Sequence, residues 1–192
     1  MLRLLPLIIL LFAVNAYSQN LKVQRAGNGK AKLTLGKTQK ILDLSKDLAG
    51  CVMAYERSDP KLKKFDVSSF RLIDSVTKGG AVYAVLLGVT IGNCNVQGQC
   101  GATDAYTLYW LKLSKTLTVL EKQVAVIQDC MDDINMAEDT ALALYKGTLT
   151  VKYDDNLYRE SLDYSFSTLT YNHSEPEKGF FIKIEKRNRP SN

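Results

Sequence analysis

The stretch GNCNVQGQCG, residues 92–101, places Cys94 and Cys100 in a run of glycine, asparagine and glutamine. Three chemistries use such a pair. A zinc site wants four thiolates, usually in closely spaced CxxC pairs, and no such pair occurs among the 4 cysteines of this chain. A redox-active disulfide wants CxxC at a helix N-terminus in a thioredoxin-like fold, and the surrounding sequence is rich in strand formers. A structural staple fits best. Cys51, Cys94, Cys100 and Cys130 are even in number, as two disulfides in an oxidising compartment require.

Other catalytic sets are poorly supplied. The chain has 1 histidine, His173, in TYNHSEP. It reads as a solvent-facing turn residue, since a Ser-His-Asp triad needs a positioned base and no G-x-S-x-G elbow is present. HExxH, P-loop and dinucleotide motifs are missing too. GKTQK, residues 36–40, is only the tail of a P-loop. Asp132, Asp133, Glu138 and Asp139 form an acidic run. It does not match a calcium-loop pattern, and adjacent acids rarely make the spaced pair of a glycosidase. A solvated acidic loop is the simpler reading. The expectation is therefore no cofactor, no metal and no catalytic residue. Asn172-His173-Ser174 is an N-glycosylation sequon, which places that turn at the surface.

The elements that position these residues are mostly strands. AVYAVLLGVTI, residues 81–91, is apolar on both alternating faces, as in a strand buried on both sides. Ala81, Tyr83, Val85, Leu87 and Val89 lie on one face, and Val82, Ala84 and Leu86 on the other. Residues 69–76 alternate before it, and TKGG joins the two with glycines that allow a tight hairpin. Further strand pairs are expected at 105–113 with 117–127, at ALALY with TLTVKY around Lys146-Gly147, at 162–171 with 179–186, and at LKVQRA with KAKLTL around Gly27-Asn28-Gly29. In residues 105–113, Trp110 shares a face with Leu108, opposite Tyr109 and Leu111, which argues for core placement. Most of the late tyrosines and phenylalanines suit strands and their cross-strand pairs. Short helices are expected at 43–50, stopped by Gly50, and within DDINMAEDTALAL. The fold class is an all-β antiparallel meander, sandwich or barrel, with one or two short helices and disulfide staples. Residues 81–91, apolar on both faces, favour the sandwich.

Strand direction places all four cysteines at one end of the sheet. The favoured connectivity is Cys94–Cys100 with Cys51–Cys130, the first closing a small loop and the second a long one.

The N-terminus, MLRLLPLIILLFAVNAYSQN, carries Arg3, an apolar run from Leu4 to Val14, and small residues at Ala16 and Ser18. These are the regions of a cleaved signal peptide, expected to be residues 1–18. The run is too short to span a bilayer. Residues 19–192 then form a single β-rich domain with a short flexible C-terminal tail, secreted or periplasmic.

The net charge is +5, which aids solubility without calling for nucleic acid. Residues 19–80 hold 13 Lys/Arg against 6 Asp/Glu, and residues 121–163 hold 4 against 10.

These features point to a non-catalytic binding module, of inhibitor or immunity type, with a protein partner. The expected binding loop comprises Asn93, Asn95, Gln97, Gln99 and Thr103, held rigid by the staples. A lipid-carrying barrel is the alternative, and a carboxylate-based hydrolase the second.

Overall fold

The computed structural model describes residues 20–55, 64–94, 103–138, 140–155 and 163–188. The signal-peptide expectation therefore lies outside the described residues, as do Asn95, Gln97, Gln99 and Cys100.

The described residues form an antiparallel all-β fold. Strands β1 (Lys22–Gly27), β2 (Lys30–Leu35) and β3 (Thr38–Asp43) make the first sheet, and β4 (Met53–Tyr55) pairs with β5 (Lys64–Asp66). A four-stranded meander follows: β6 (Ser69–Lys78), β7 (Ala81–Ile91), β8 (Asp104–Leu113) and β9 (Val119–Gln128). A second four-stranded meander comprises β10 (Ile134–Met136), β11 (Thr148–Asp155), β12 (Asp163–Asn172) and β13 (Phe181–Asn188).

The sheets stack in layers, with β6–β9 in the middle. Val82, Ala84 and Leu86 of β7 join Tyr109, Leu111 and Leu113 of β8 and pack on Ala31, Leu33, Leu35 and Leu42 of the first sheet. Their neighbours point the other way. Tyr83, Val85, Leu87, Leu108 and Trp110 pack on Leu149, Val151, Leu169 and Tyr171 of the last sheet. The double apolar pattern of residues 81–91 thus reports a strand with a core on each side. Burying each of these leucines or valines stabilises the fold by about 1.5–3 kcal/mol.

Turn chemistry sets the registers. Gly79 and Gly80 both take positive φ, the geometry of a tight primed turn that matches strand twist, and Lys78 pairs with Ala81. Lys146 and Gly147 repeat it, with Tyr145 bridged to Thr148.

Three local expectations fail. Residues 43–50 form no helix: Asp43 ends β3, and its carboxylate accepts hydrogen bonds from the Ser45 N–H at 3.1 Å and from the Ser45 hydroxyl at 2.6 Å, an Asx turn that competes with helix. Leu44 is buried all the same. The described residues of DDINMAEDTALAL hold strand β10 and no helix. ALALY is not a strand beyond the Tyr145 bridge, and the strand that pairs with the far part of β11, from Tyr153 to Asp155, is β10. Its alternation survives as Leu142 and Leu144 dipping into the core beside the last sheet. Among the described residues the single helical element is a 3-10 turn at Pro176–Lys178.

Candidate binding site at the cysteine end

The chain before β4 is laid across the ends of β7, β8 and β9. Cys51 N–H donates to the Ile91 carbonyl at 2.7 Å. Ala49 N–H donates to the Thr107 hydroxyl at 2.9 Å, and Gly50 N–H to the Asp129 carboxylate at 3.2 Å. The Thr90 hydroxyl returns a bond to the Ala49 carbonyl. Gly50 has φ +63°, and a Cβ there would lie 2.3 Å from the Ile91 carbonyl oxygen. Only glycine permits this approach. Thr90, Thr107 and Asp129 are buried polar groups, and these bonds satisfy them, as burial demands.

That laying-down fixes the disulfide. Cys51 is bridged to Ile91, which brings it beside the chain leaving β7, and it bonds Cys94 with a Cα–Cα distance of 5.1 Å. The expected pairs Cys94–Cys100 and Cys51–Cys130 are therefore overturned. Cys130 is also disulfide-bonded, with its partner outside the described residues. The clustering of Cys51, Cys94 and Cys130 at one end is as anticipated. Asn93 is half-buried, while Cys94 and Thr103 are exposed. Gly92 N–H donates to the Thr103 carbonyl at 2.7 Å, closing the base of the loop.

Next to this staple lies an open groove of ≈ 410 Å³, lined by Phe70, Arg71, Leu87, Val89, Asp104, Tyr106 and Leu142 among others. Its floor is apolar and its rim carries one cation, one carboxylate and one phenol. The Arg71 guanidinium donates to the Leu142 carbonyl at 2.8 Å, which ties β6 to the irregular segment before β11. The Tyr106 hydroxyl donates to Asp104 at 3.3 Å. Burial, and then the negative charge of Asp104, hold the Tyr106 phenol above its ordinary range. It therefore stays a neutral donor. Among the described residues that line this groove Asp104 is the one carboxylate. A second cleft of ≈ 290 Å³ is bordered by Ala141, Tyr145, Thr148, Thr150 and Lys152. Among the described residues no three metal-ligating side chains converge.

The middle and the hairpin end of the central sheet are built differently. A β-bulge between Leu72 and Asp74 turns the Asp74 side chain inward. The Tyr171 hydroxyl donates to it at 2.8 Å, and His173 Nδ1 lies 2.9 Å away. His173 is a solvent-facing turn residue, as expected, and its ring also engages Asp74. Burial, then the Asp74 bond, push the Tyr171 phenol far above its ordinary range. Trp110 Nε1 donates to the Pro176 carbonyl at 2.8 Å, and Lys78 pairs with Glu177 at 2.9 Å.

Sequence reasoning missed Arg71, Asp104 and Tyr106. Tyr106 shares a strand face with Leu108 and Trp110, so it reads as core, and only its place at the strand end exposes it.

No protein-family model matches the chain, and no curated protein does. One solved structure resembles it, the WD40 domain of SCAP from fission yeast, at 13% identity and a TM-score of 0.23. The likeness covers 92% of this chain and 43% of that one, and at that TM-score it bears on neither fold nor function. No helix among the described residues is long and apolar enough to cross a membrane.

Proposed function

We propose that the protein is an exported, disulfide-stapled binding module that captures a protein partner at its cysteine end, in an inhibitor or immunity-type role rather than as an enzyme. The groove beside Cys51–Cys94 carries this reading. It combines an apolar floor with Arg71 and Tyr106, residue types enriched where binding energy concentrates. Its walls are held by the backbone pairing of β6, β7 and β8 and by the Arg71–Leu142 bond, so little conformational freedom is lost on association. Disulfides persist in oxidising compartments, which supports a secreted or periplasmic location.

Site-specific photo-crosslinking tests the proposal. A photoreactive side chain at Thr103 is expected to give a protein adduct from the exported fraction. The same group at Ile41, exposed on the first sheet, is expected to give none. Combining the Thr103 probe with Arg71→Ala and Tyr106→Ala should abolish the adduct. Equal adducts at both positions, or a lipid-sized adduct at Thr103, would overturn it.

A further inference from the structure

We infer that β13 is a self-association edge, and that two copies of this chain pair antiparallel along it to join their last sheets into one. In the sheet order β10-β11-β12-β13 the strand is terminal, and among the described residues its outer side pairs with no other strand. It runs eight residues, Phe181–Asn188, which is long for an unprotected edge. It also presents apolar side chains to solvent on both faces: Phe181 is 68% exposed, Ile184 62% and Ile182 41%. Ile182 and Ile184 lie opposite Leu169 and Ser167 of β12, both buried, so they extend the inner face past the limit of its cover.

The charge pattern selects the occupant. In an antiparallel pair the residue numbers of facing positions have a constant sum, and a two-fold axis requires the same patch on both partners. Centred on Ile184, such a pair sets Ile184 against Ile184, and Lys183 of each copy against Glu185 of the other. Lys183 and Glu185 already share a face within one chain, 2.7 Å apart. Two copies therefore close a ring of four alternating charges on one face and an isoleucine contact on the other. Lysine on an edge ordinarily discourages strand addition, and here the neighbouring acid offsets it for a second copy in this register. Cross-strand opposite charges and β-branched pairs each favour pairing only modestly. The dimer is accordingly weak and concentration-dependent.

A charge-swap experiment on the full chain separates this interface from the ion pair inside each copy. Sedimentation of the unaltered protein should show a reversible monomer–dimer equilibrium. Chains with Lys183→Glu carry two acids on that face, and chains with Glu185→Lys two bases. Each alone should dimerise about ten-fold more weakly. An equimolar mixture should regain wild-type association, because the two faces complement each other across the axis although neither chain keeps its internal pair. Urea unfolding of each variant checks that the monomer is intact. The inference is overturned if the unaltered protein stays monomeric, if the swaps leave dimerisation unchanged, or if the mixture associates no better than its parts. A strand from a different protein seated on β13 would appear as the first of these outcomes.

Discussion

At one end of the central sheet a disulfide, backbone bonds and the buried side chains of Thr90, Thr107 and Asp129 hold irregular chain against the strand tips. At mid-strand, opposite Val85, Tyr171 and His173 converge on one buried carboxylate, Asp74. Both regions join the middle sheet to its neighbours, yet they do so at different cost to the surface. The cysteine end leaves the side chains of Arg71, Asp104 and Tyr106 around an open groove, because the holding is done by main chain, sulfur and polar side chains that are themselves buried. The Asp74 cluster uses its polar side chains on one another. Holding by disulfide, main chain and buried side chains thus frees a surface for recognition, whereas holding by the half-exposed His173 consumes it.

The comparison breaks most sharply at the disulfide. Replacing Cys51 and Cys94 together with alanine opens a loop of sequence separation 43 and is expected to cost about 4 kcal/mol, seen as a lower urea midpoint. Partner capture at Thr103 should fall with it, while the fluorescence of Trp110 in the folded protein stays unchanged. Asp74→Ala should cost about 2–3 kcal/mol, since a buried hydroxyl loses its acceptor, and should leave capture at the groove intact. If it abolished capture, the two regions would be coupled and the division of labour wrong.

Alkaline pH gives a smaller, graded effect. The buried phenols of Tyr109 and Tyr171 are both held far above the ordinary value of 10.0, chiefly by burial. In the unfolded chain they ionise near that value. Below it both states keep the protons and stability is unaffected. Above it unfolding releases protons, so stability falls as pH rises, by about 1.4 kcal/mol per pH unit for each tyrosine. Urea midpoints at pH 9 and 11 should show this slope, and Tyr109→Phe should reduce it by one tyrosine's share. Lys78→Ala is the least consequential change. Its pair with Glu177 is exposed on both sides, and exposed pairs contribute little; the urea midpoint should not move.

Legibility followed the physics of each element. Alternation marked β7 and β8 because both faces of each strand are buried, and it placed Trp110 and Tyr109 on opposite sides. Hairpin glycines marked the turns at Gly79-Gly80 and Gly147, where positive φ is required. Strand direction brought Cys51, Cys94 and Cys130 to one end. The pairing was not legible, because it depends on the bond from Cys51 N–H to Ile91, a contact between segments 40 residues apart. The same holds for Asp74: a bulge changes which way a side chain points, and no local pattern announced it. Helix was expected at 43–50 from composition, but Asp43 and Ser45 closed a turn instead. The groove was invisible because its lining residues come from four separate segments.

The middle sheet has one more consequence. Adjacent residues of β7 belong to different cores, Val85 to one and Leu86 to the other. Neither core can melt without exposing the strand that the other needs. The layers should therefore unfold as a single cooperative unit, and amide hydrogens along the middle of β7 and β8 should exchange only through global opening. A region that would otherwise be two loosely joined layers gains one shared lifetime, set by its most interior strands.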